Sequence, residues 1–199
     1  MITLYHSPQT RSASIVWLLE ELAVPYQTKL VDFRRPDGTG KKDPANPHPH
    51  GKVPALVDGD DTVFEGSAIA LFLTDKYRTK QLGPAVGEPK RGEYLSWLAY
   101  RPGVMEPALI SRRFDVKHVY GAMGWAPADE VEETLNQHLA ARKYLLGDEF
   151  SAADILIGGG IHFMIMAKMF KETPVMKAYA ERVIDRPAYR KMMEIDKKK

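Results

Sequence analysis

The 199-residue chain contains no cysteine. That excludes disulfides, thiolate metal sites, Cys-x-x-Cys redox chemistry and any nucleophilic thiol carried by the protein itself. Where a thiol enters its chemistry, a ligand must bring it. Net charge is scant too. Lys and Arg number 28 against 26 Asp and Glu, leaving +2, which gives no broad electrostatic case for nucleic acid. No window of about 18 apolar residues occurs, so neither a membrane span nor a membrane partner is expected. The opening Met1-Ile2-Thr3-Leu4-Tyr5 has no basic stretch followed by an apolar signal core, so the expected location is cytoplasmic. The six histidines show no metal-ligand spacing, and no metal is expected. Repeats and low-complexity segments are missing as well. What is there is ordinary globular composition, 44% apolar and 27% charged, in a chain long enough for one large or two small domains. The closing Lys197-Lys198-Lys199 reads as a frayed, solvated end.

Strand and helix signals alternate in the first part. Ile2–Tyr5 predicts a strand. Ser7-Pro8-Gln9-Thr10 is turn chemistry leading into a helix that runs through Ala23 and stops before Pro25. Tyr26–Phe33 predicts a second strand, and 34–46, with two prolines and two glycines, a loop. Ala55–Val57 and Thr62–Phe64 flank Asp58-Gly59-Asp60-Asp61 as a hairpin, and Gly66–Tyr77 follows as a helix with Ala68, Ile69, Leu71, Phe72 and Leu73 inward. A βαβ start followed by ββα predicts a small mixed sheet with helices on its faces. Gly83, Pro84, Gly87 and Pro89 mark a boundary, which divides the chain into 1–78, a linker over 79–87, and 88–199. The second part predicts helices over Arg91–Tyr100, Met105–His118, Asp129–Leu146, Ser151–Lys168, Pro174–Ile184 and Pro187–Ile195. Ser151 and Asp154 have capping-box spacing, a structural device at the head of the most apolar helix.

The stretch with the most chemistry is His48-Pro49-His50-Gly51-Lys52-Val53-Pro54-Ala55-Leu56. Pro54 cannot donate a ladder hydrogen bond, and X–Pro is the peptide bond with realistic access to the cis form. With Val53–Pro54 cis, the N–H and C=O of Val53 can face outward and pair with an extended peptide, as an added strand would. Some ten residues on, Glu65-Gly66-Ser67 opens a helix whose N-terminus can hold a carboxylate. These are the parts of a small-peptide site. His48 and His50 read as polar groups of the loop.

Taken together, the chain resembles the cytosolic glutathione S-transferases of the bacterial type over essentially its whole length. The resemblance rests on Trp17-Leu18-Leu19-Glu20-Glu21-Leu22, Gly51-Lys52-Val53-Pro54-Ala55-Leu56, Glu65-Gly66-Ser67-Ala68-Ile69, Tyr144-Leu145-Leu146-Gly147-Asp148-Glu149-Phe150-Ser151-Ala152-Ala153-Asp154-Ile155 and Arg186-Pro187-Ala188-Tyr189. It implies an α/β thioredoxin-like N-terminal domain that binds glutathione, an all-α C-terminal domain that supplies walls for an electrophile, a homodimer, and detoxification chemistry with glutathione as co-substrate.

On that resemblance Val53 pairs with the cysteinyl unit of glutathione. Glu65 receives the γ-glutamyl ammonium, or holds the helix-terminal turn, and the N–H groups of Gly66 and Ser67 hold the γ-glutamyl carboxylate. Lys52 approaches one of the two carboxylates, with a solvated turn lysine as the competing reading. Many relatives carry Ser directly after the Glu, whereas this chain has Gly66. The thiol, with a free pKa of about 8.5, must ionise to react. Alignment on Trp17–Leu22 puts Thr10 at the position of the activating residue. Ser12 is the first alternative, and Ser7 and Tyr5 are the others. The electrophile walls fall among Met105, Arg112, Phe114, His118 and Trp125. Conjugation to a small hydrophobic electrophile is the leading expectation. Glutathione-dependent isomerisation, dehalogenation or peroxide reduction, and a non-catalytic ligand-binding or docking dimer, are the alternatives.

Overall fold

A computed structural model describes residues 1–197; the last two lysines of the basic tail lie outside the described residues. The elements run β1 (Ile2–His6), α1 (Ala13–Leu22), β2 (Tyr26–Leu30), β3 (Ala55–Asp58), β4 (Asp61–Phe64), α2 (Gly66–Lys76), α3 (Arg91–Tyr100), α4 (Glu106–Arg113), α5 (Ala128–Ala140), α6 (Ala152–Met166), α7 (Pro174–Ile184) and α8 (Pro187–Asp196). Contacts divide them into two compact units. One is Met1–Lys80 with the segment from Arg186 onward, and the other is Gln81–Asp185. The last helix, α8, which the sequence reading counts within 88–199, therefore belongs with the sheet. Among the described residues no helix is long and apolar enough to cross a membrane.

The first unit is built on a four-stranded sheet of order β2-β1-β3-β4, with β1 and β2 parallel and the other pairs antiparallel. Alternation in β1 sets it: Ile2 and Leu4 are buried, with Thr3 and Tyr5 half-buried between them. The β3–β4 turn is tighter than its composition suggests. Asp58 pairs with Asp61, and Gly59 takes the positive φ of 65° that the two-residue turn needs. β2 ends at Leu30 rather than Phe33. Val31 N–H makes a last bond to His6 C=O at 3.0 Å, after which the Asp32 carboxylate draws in the N–H groups of Phe33 and Lys41 and folds the chain into a loop. The buried face of α2 is Ile69, Ala70, Leu73 and Thr74. Ala68, expected inward, is exposed, because the helix is rotated so that Ala70 takes its place.

α1 is apolar on most sides, with Ile15, Val16, Trp17, Leu18, Leu19 and Leu22 buried. Its acidic end holds α8. Arg186 meets the Glu21 carboxylate through two nitrogens, at 2.5 and 2.8 Å, Lys191 reaches Glu20 at 2.5 Å, and Trp17 and Tyr189 meet edge-on at 4.9 Å.

In the second unit α6 is the central helix, and α7 packs directly on it. A Cβ at Gly158 would stand 2.9 Å from both Val183 methyl groups, so only glycine allows this approach. Three helices are shorter than their periodicity. α4 stops at Arg113, where Asp115 turns to a φ of 55°. α5 stops at Ala140 because Tyr144 and Gly147 close a turn on each other and the Asp154 carboxylate takes the N–H of Leu145. α6 stops at Met166, with Lys168 at a φ of 55°. Between α3 and α4 the chain widens into a π turn over Arg101–Met105, where Pro102 has no N–H to continue the α-helical ladder.

Asp154 does more than close its capping box. Its carboxylate accepts from the N–H groups of Leu145 and Ser151 and from the hydroxyls of Ser151 and Tyr179, each at 2.9 Å, and no part of Asp154 is exposed. Burial pushes its carboxyl up, and these four donors push it down.

Candidate functional site

Two chain segments of the first unit meet at the sheet's end. The Val53–Pro54 peptide is cis. Pro54 Cγ lies 4.0 Å from where a Cβ of Gly66 would stand, so the turn before β3 adjoins the head of α2. Asn46 fixes that turn by donating its side-chain N–H to Lys52 C=O at 2.9 Å. Neither the N–H nor the C=O of Val53 has a hydrogen-bond partner among the described residues. An unpaired donor and acceptor on one extended residue are what an incoming peptide strand requires. The Lys52 side chain is exposed.

Glu65 caps α2 with a φ of 68°, a left-handed value that non-glycine residues adopt only where the surroundings hold them. Its side chain is 63% exposed, and His48 Nε2 stands 3.7 Å from its carboxylate. Glu65 makes no side-chain cap bond, so its carboxylate does not take up the first N–H groups of α2, which stand at the positive end of the helix. His48, read from sequence as a loop polar group, is in fact buried. Its Nδ1 accepts from the N–H of His50 at 3.1 Å, which leaves the Nε2 proton facing Glu65, and its ring packs on Phe64 at 5.4 Å. It therefore presents a ring proton toward Glu65 from a buried position, which spacing alone could not reveal.

The hydroxyl candidates separate by exposure. Thr10 is half-buried in the turn before α1, whereas Ser12 is fully buried and Ser7 nearly so. Tyr5 is half-buried in β1 with Lys29 Nζ over its ring at 5.4 Å. Thr10 Oγ1 lies 2.6 Å from Ser7 C=O and 2.7 Å from Ser12 Oγ. It also accepts the Ser12 N–H at 3.3 Å, so it serves the helix start at the same time. Two residues absent from the sequence reading complete the cluster. His6 Nδ1 lies 2.8 Å from Ser12 Oγ, and the Asp196 carboxylate of α8 accepts the N–H of Gln9 and faces His6. His6 and Asp196 stand 190 positions apart, and no local pattern joins them.

The electrophile candidates fall in the second unit and do not form one lining. Met105 has no exposed surface and packs within that unit's core, so it offers a ligand nothing. Arg112 is held by Glu132 at 2.6 and 2.9 Å, by Asp129 at 3.2 Å and by Met169 C=O at 2.7 Å. Of the five candidates for the electrophile walls, only Arg112 borders the cavity of about 370 Å³ lined by Leu109, Arg112, Arg113 and the segment 168–171. Phe114 is 69% exposed, and Trp125 is half-buried, with its C=O 2.7 Å from His118 Nε2.

Burial holds His6, His48 and His162 below the ordinary histidine value of 6.5, although Asp196, Glu65 and Glu181 pull them upward. The unfolded chain thus holds more protons than the folded one just below that value, and stability contributed by neutral rings is lost as pH falls through it. Asp154, pushed up by burial, runs the other way but over the carboxylate range. The denaturant midpoint is expected to be lower at about pH 5.5 than at about pH 7.5. An equal or higher midpoint at the acid value would contradict neutral burial of these rings.

Comparisons with known proteins bear on the family and the fold. Residues 10–76 match the family described as "Glutathione S-transferase, N-terminal domain". Glutathione S-transferase 3 of Schizosaccharomyces pombe is 30% identical, over 96% of this chain and 86% of that protein. A glutathione S-transferase structure from Actinobacillus pleuropneumoniae is 27% identical, with a TM-score of 0.75 over 98% of this chain and 93% of that one. A sphingomonad glutathione S-transferase in complex with glutathione is 26% identical, with a TM-score of 0.76 over 98% of both chains. The mixed sheet with its cis proline, the helical second unit and these matches together establish that the chain belongs to the glutathione S-transferase family of enzymes.

Proposed function

We propose that this enzyme binds glutathione along Val53 and the head of α2 and conjugates its thiol to a small apolar electrophile, with Thr10 as the hydroxyl that meets the sulfur. The observation that carries this reading is the unpaired backbone of Val53 beside Glu65 and the first turn of α2. Val53 takes the cysteinyl backbone as an added strand. Glu65, faced by the His48 ring proton, takes the γ-glutamyl ammonium, and the N–H groups of Gly66 and Ser67 take its carboxylate. Lys52 lies within the same turn and favours a ligand carboxylate. Thr10 is the candidate hydroxyl on the surface side of its cluster, which supports it over Ser12. Phe114, exposed, and Trp125, half-buried, are the apolar candidates of the second unit that keep surface for an electrophile. Family membership supports a cytoplasmic homodimer, for which sedimentation gives the mass.

The test is calorimetric titration with glutathione, paired with a conjugation assay on a small aromatic halide. Binding with thioether formation is expected. Absence of binding at millimolar glutathione would overturn the proposal. Gly66 and Thr10 also favour a second reading, in which the captured thiol is used for dehalogenation, isomerisation or peroxide reduction; regeneration or oxidation of glutathione in place of a stable conjugate identifies it.

Gly66 gives a direct gain-of-function test. A Cβ there would meet only Pro54 Cγ, at 4.0 Å, and no positive φ opposes it. Gly66→Ser is expected to fold normally and to bind glutathione about tenfold more tightly, since a hydroxyl bonded to a charged carboxylate contributes about 1.5–3 kcal/mol before the cost of ordering it. Unchanged or weaker affinity would place the γ-glutamyl carboxylate elsewhere.

A further inference from the structure

We propose that Ser12, His6 and Asp196 form a proton relay behind Thr10 that carries the proton of the bound thiol inward to His6. The inference rests on the glutathione reading above and adds three positioning residues to it.

The argument is an accounting of hydrogens. His6 is 1% exposed. Its Nε2 has no hydrogen-bond partner among the described residues, and the Asp196 carboxylate faces it at 3.4 Å. A carboxylate there requires the ring proton on Nε2, which makes Nδ1 an acceptor. The atom within reach of Nδ1 is Ser12 Oγ at 2.8 Å, shorter than the 3.2 Å from the same hydroxyl to Ser7 C=O, so the single hydrogen of Ser12 goes to the nearer and stronger acceptor, His6. Ser12 Oγ then accepts from the Ser7 N–H at 3.2 Å and from Thr10. The hydrogen of Thr10 consequently points inward, shared between Ser12 Oγ at 2.7 Å and Ser7 C=O at 2.6 Å, and the branch to Ser12 is the one the relay uses. In this resting state Thr10 accepts the Ser12 N–H with one lone pair of Oγ1, which leaves one lone pair and no proton for a ligand. It can accept a thiol S–H, but it cannot donate to a thiolate.

One concerted shift reverses every bond. The S–H proton passes to Thr10 Oγ1, the Thr10 proton to Ser12 Oγ, and the Ser12 proton to His6 Nδ1. Thiol and imidazole become thiolate and imidazolium, with no other reactant. Thr10 now donates to the sulfur, Ser12 donates to Thr10, and His6 donates to Ser12. Burial keeps His6 neutral in the ligand-free protein; in the complex its imidazolium faces the Asp196 carboxylate on one side and, through Ser12 and Thr10, the new thiolate on the other, two anions that offset its charge. Tyr189 is the other titratable group on α8 that senses Asp196. When the sulfur–carbon bond forms, the electrophile's leaving group departs as an anion, and the proton returns from His6 through Ser12 and Thr10 to solvent water as the thioether leaves. The three groups have the composition of a Ser-His-Asp triad. Ser12, at 0% exposure, cannot reach a substrate, so direct nucleophilic use of it is excluded and transmission through Thr10 is what the arrangement permits.

The relay is read by ¹⁵N NMR of the histidine rings in the whole protein, with His6 assigned by its loss in His6→Asn. On saturation with glutathione, Nδ1 of His6 is expected to move from the unprotonated to the protonated position. With S-methylglutathione, which fills the same site but has no thiol proton, it is expected to stay. Identical His6 signals with both ligands bound would overturn the relay while leaving the glutathione site standing. Failure of both ligands to bind would overturn the site, and the relay with it. Ser12→Ala is expected to retain glutathione and to lose about tenfold or more of the bound thiolate absorbance at neutral pH. Should that variant not fold, Asp196→Asn, a near-isosteric change that keeps an oxygen to accept the Gln9 N–H, is expected to raise the ionisation midpoint of the bound thiol by about one pH unit, a tenfold change. An unmoved midpoint would contradict the relay.

Discussion

Thr10→Val is expected to lower kcat/KM for glutathione conjugation by about a hundredfold to a thousandfold, the usual consequence of removing a hydrogen-bond donor aimed at a developing or resident anion. Lowering a thiol pKa from about 8.5 by two units needs roughly 2.7 kcal/mol of preferential thiolate stabilisation. One hydroxyl, supported by the positive end of α1, is of the right size to supply it. Valine keeps the branched shape, and the groups assigned to the tripeptide lie on Val53, Glu65 and the head of α2, so the KM for glutathione should change little. The loss of the bond from Ser12 N–H to Thr10 costs stability of about 1 kcal/mol, so activity must be read on protein shown to be folded. Thr10→Ser restores a hydroxyl at the same position and is expected to restore most of the rate. A Thr10→Val enzyme at full rate, with an unchanged thiol pKa, would move the catalytic role to Ser7 or Tyr5.

The second large effect concerns the fold. Asp154→Ala is expected to remove about 3–5 kcal/mol of stability, seen as a fall in Tm of roughly 10 °C for a chain of this size. The carboxylate is fully enclosed and serves four donors. Its removal strands two backbone N–H groups and the buried Tyr179 hydroxyl, opens the N-terminus of α6, and frees the turn that ends α5. Asp154→Asn keeps one carbonyl oxygen but turns an NH₂ toward donors, so an intermediate loss is expected. Thermal unfolding checks both. A loss below about 1 kcal/mol for alanine would show that Asp154 is an ordinary helix cap.

Much of this was legible in the residues. β1, α1, the hairpin and the head of α2 follow from apolar spacing and from Pro25, Gly59 and Pro54, because each signal is local. The cis proline, the extended turn at Val53 and the place of Glu65 at the head of α2 are legible for the same reason. The ends of α4 and α5 were not, since the 3.6-residue period continues past Arg113 and Ala140 and the chain is turned aside by a left-handed residue at Asp115 and by a side chain fourteen residues beyond α5, Asp154. The membership of α8 was hidden because its anchors are pairs such as Arg186 with Glu21. The deepest part of the site was hidden likewise. Thr10 and Ser12 could be named as hydroxyls near a helix start, yet their difference lies in exposure and in partners, His6 and Asp196, that only the folded chain brings together. Met105 failed as a pocket residue for the complementary reason, since an apolar residue on a helix looks the same whether it faces a ligand or the core.

The central claim is that Thr10 meets the sulfur of a glutathione held by Val53 and the head of α2. A crystal structure of the glutathione complex tests it most directly. The account expects the cysteinyl backbone paired with Val53, the γ-glutamyl carboxylate at the N–H groups of Gly66 and Ser67, and the sulfur within about 3.3 Å of Thr10 Oγ1. A sulfur resting on Tyr5 or Ser7, or a tripeptide bound away from Val53, would contradict it.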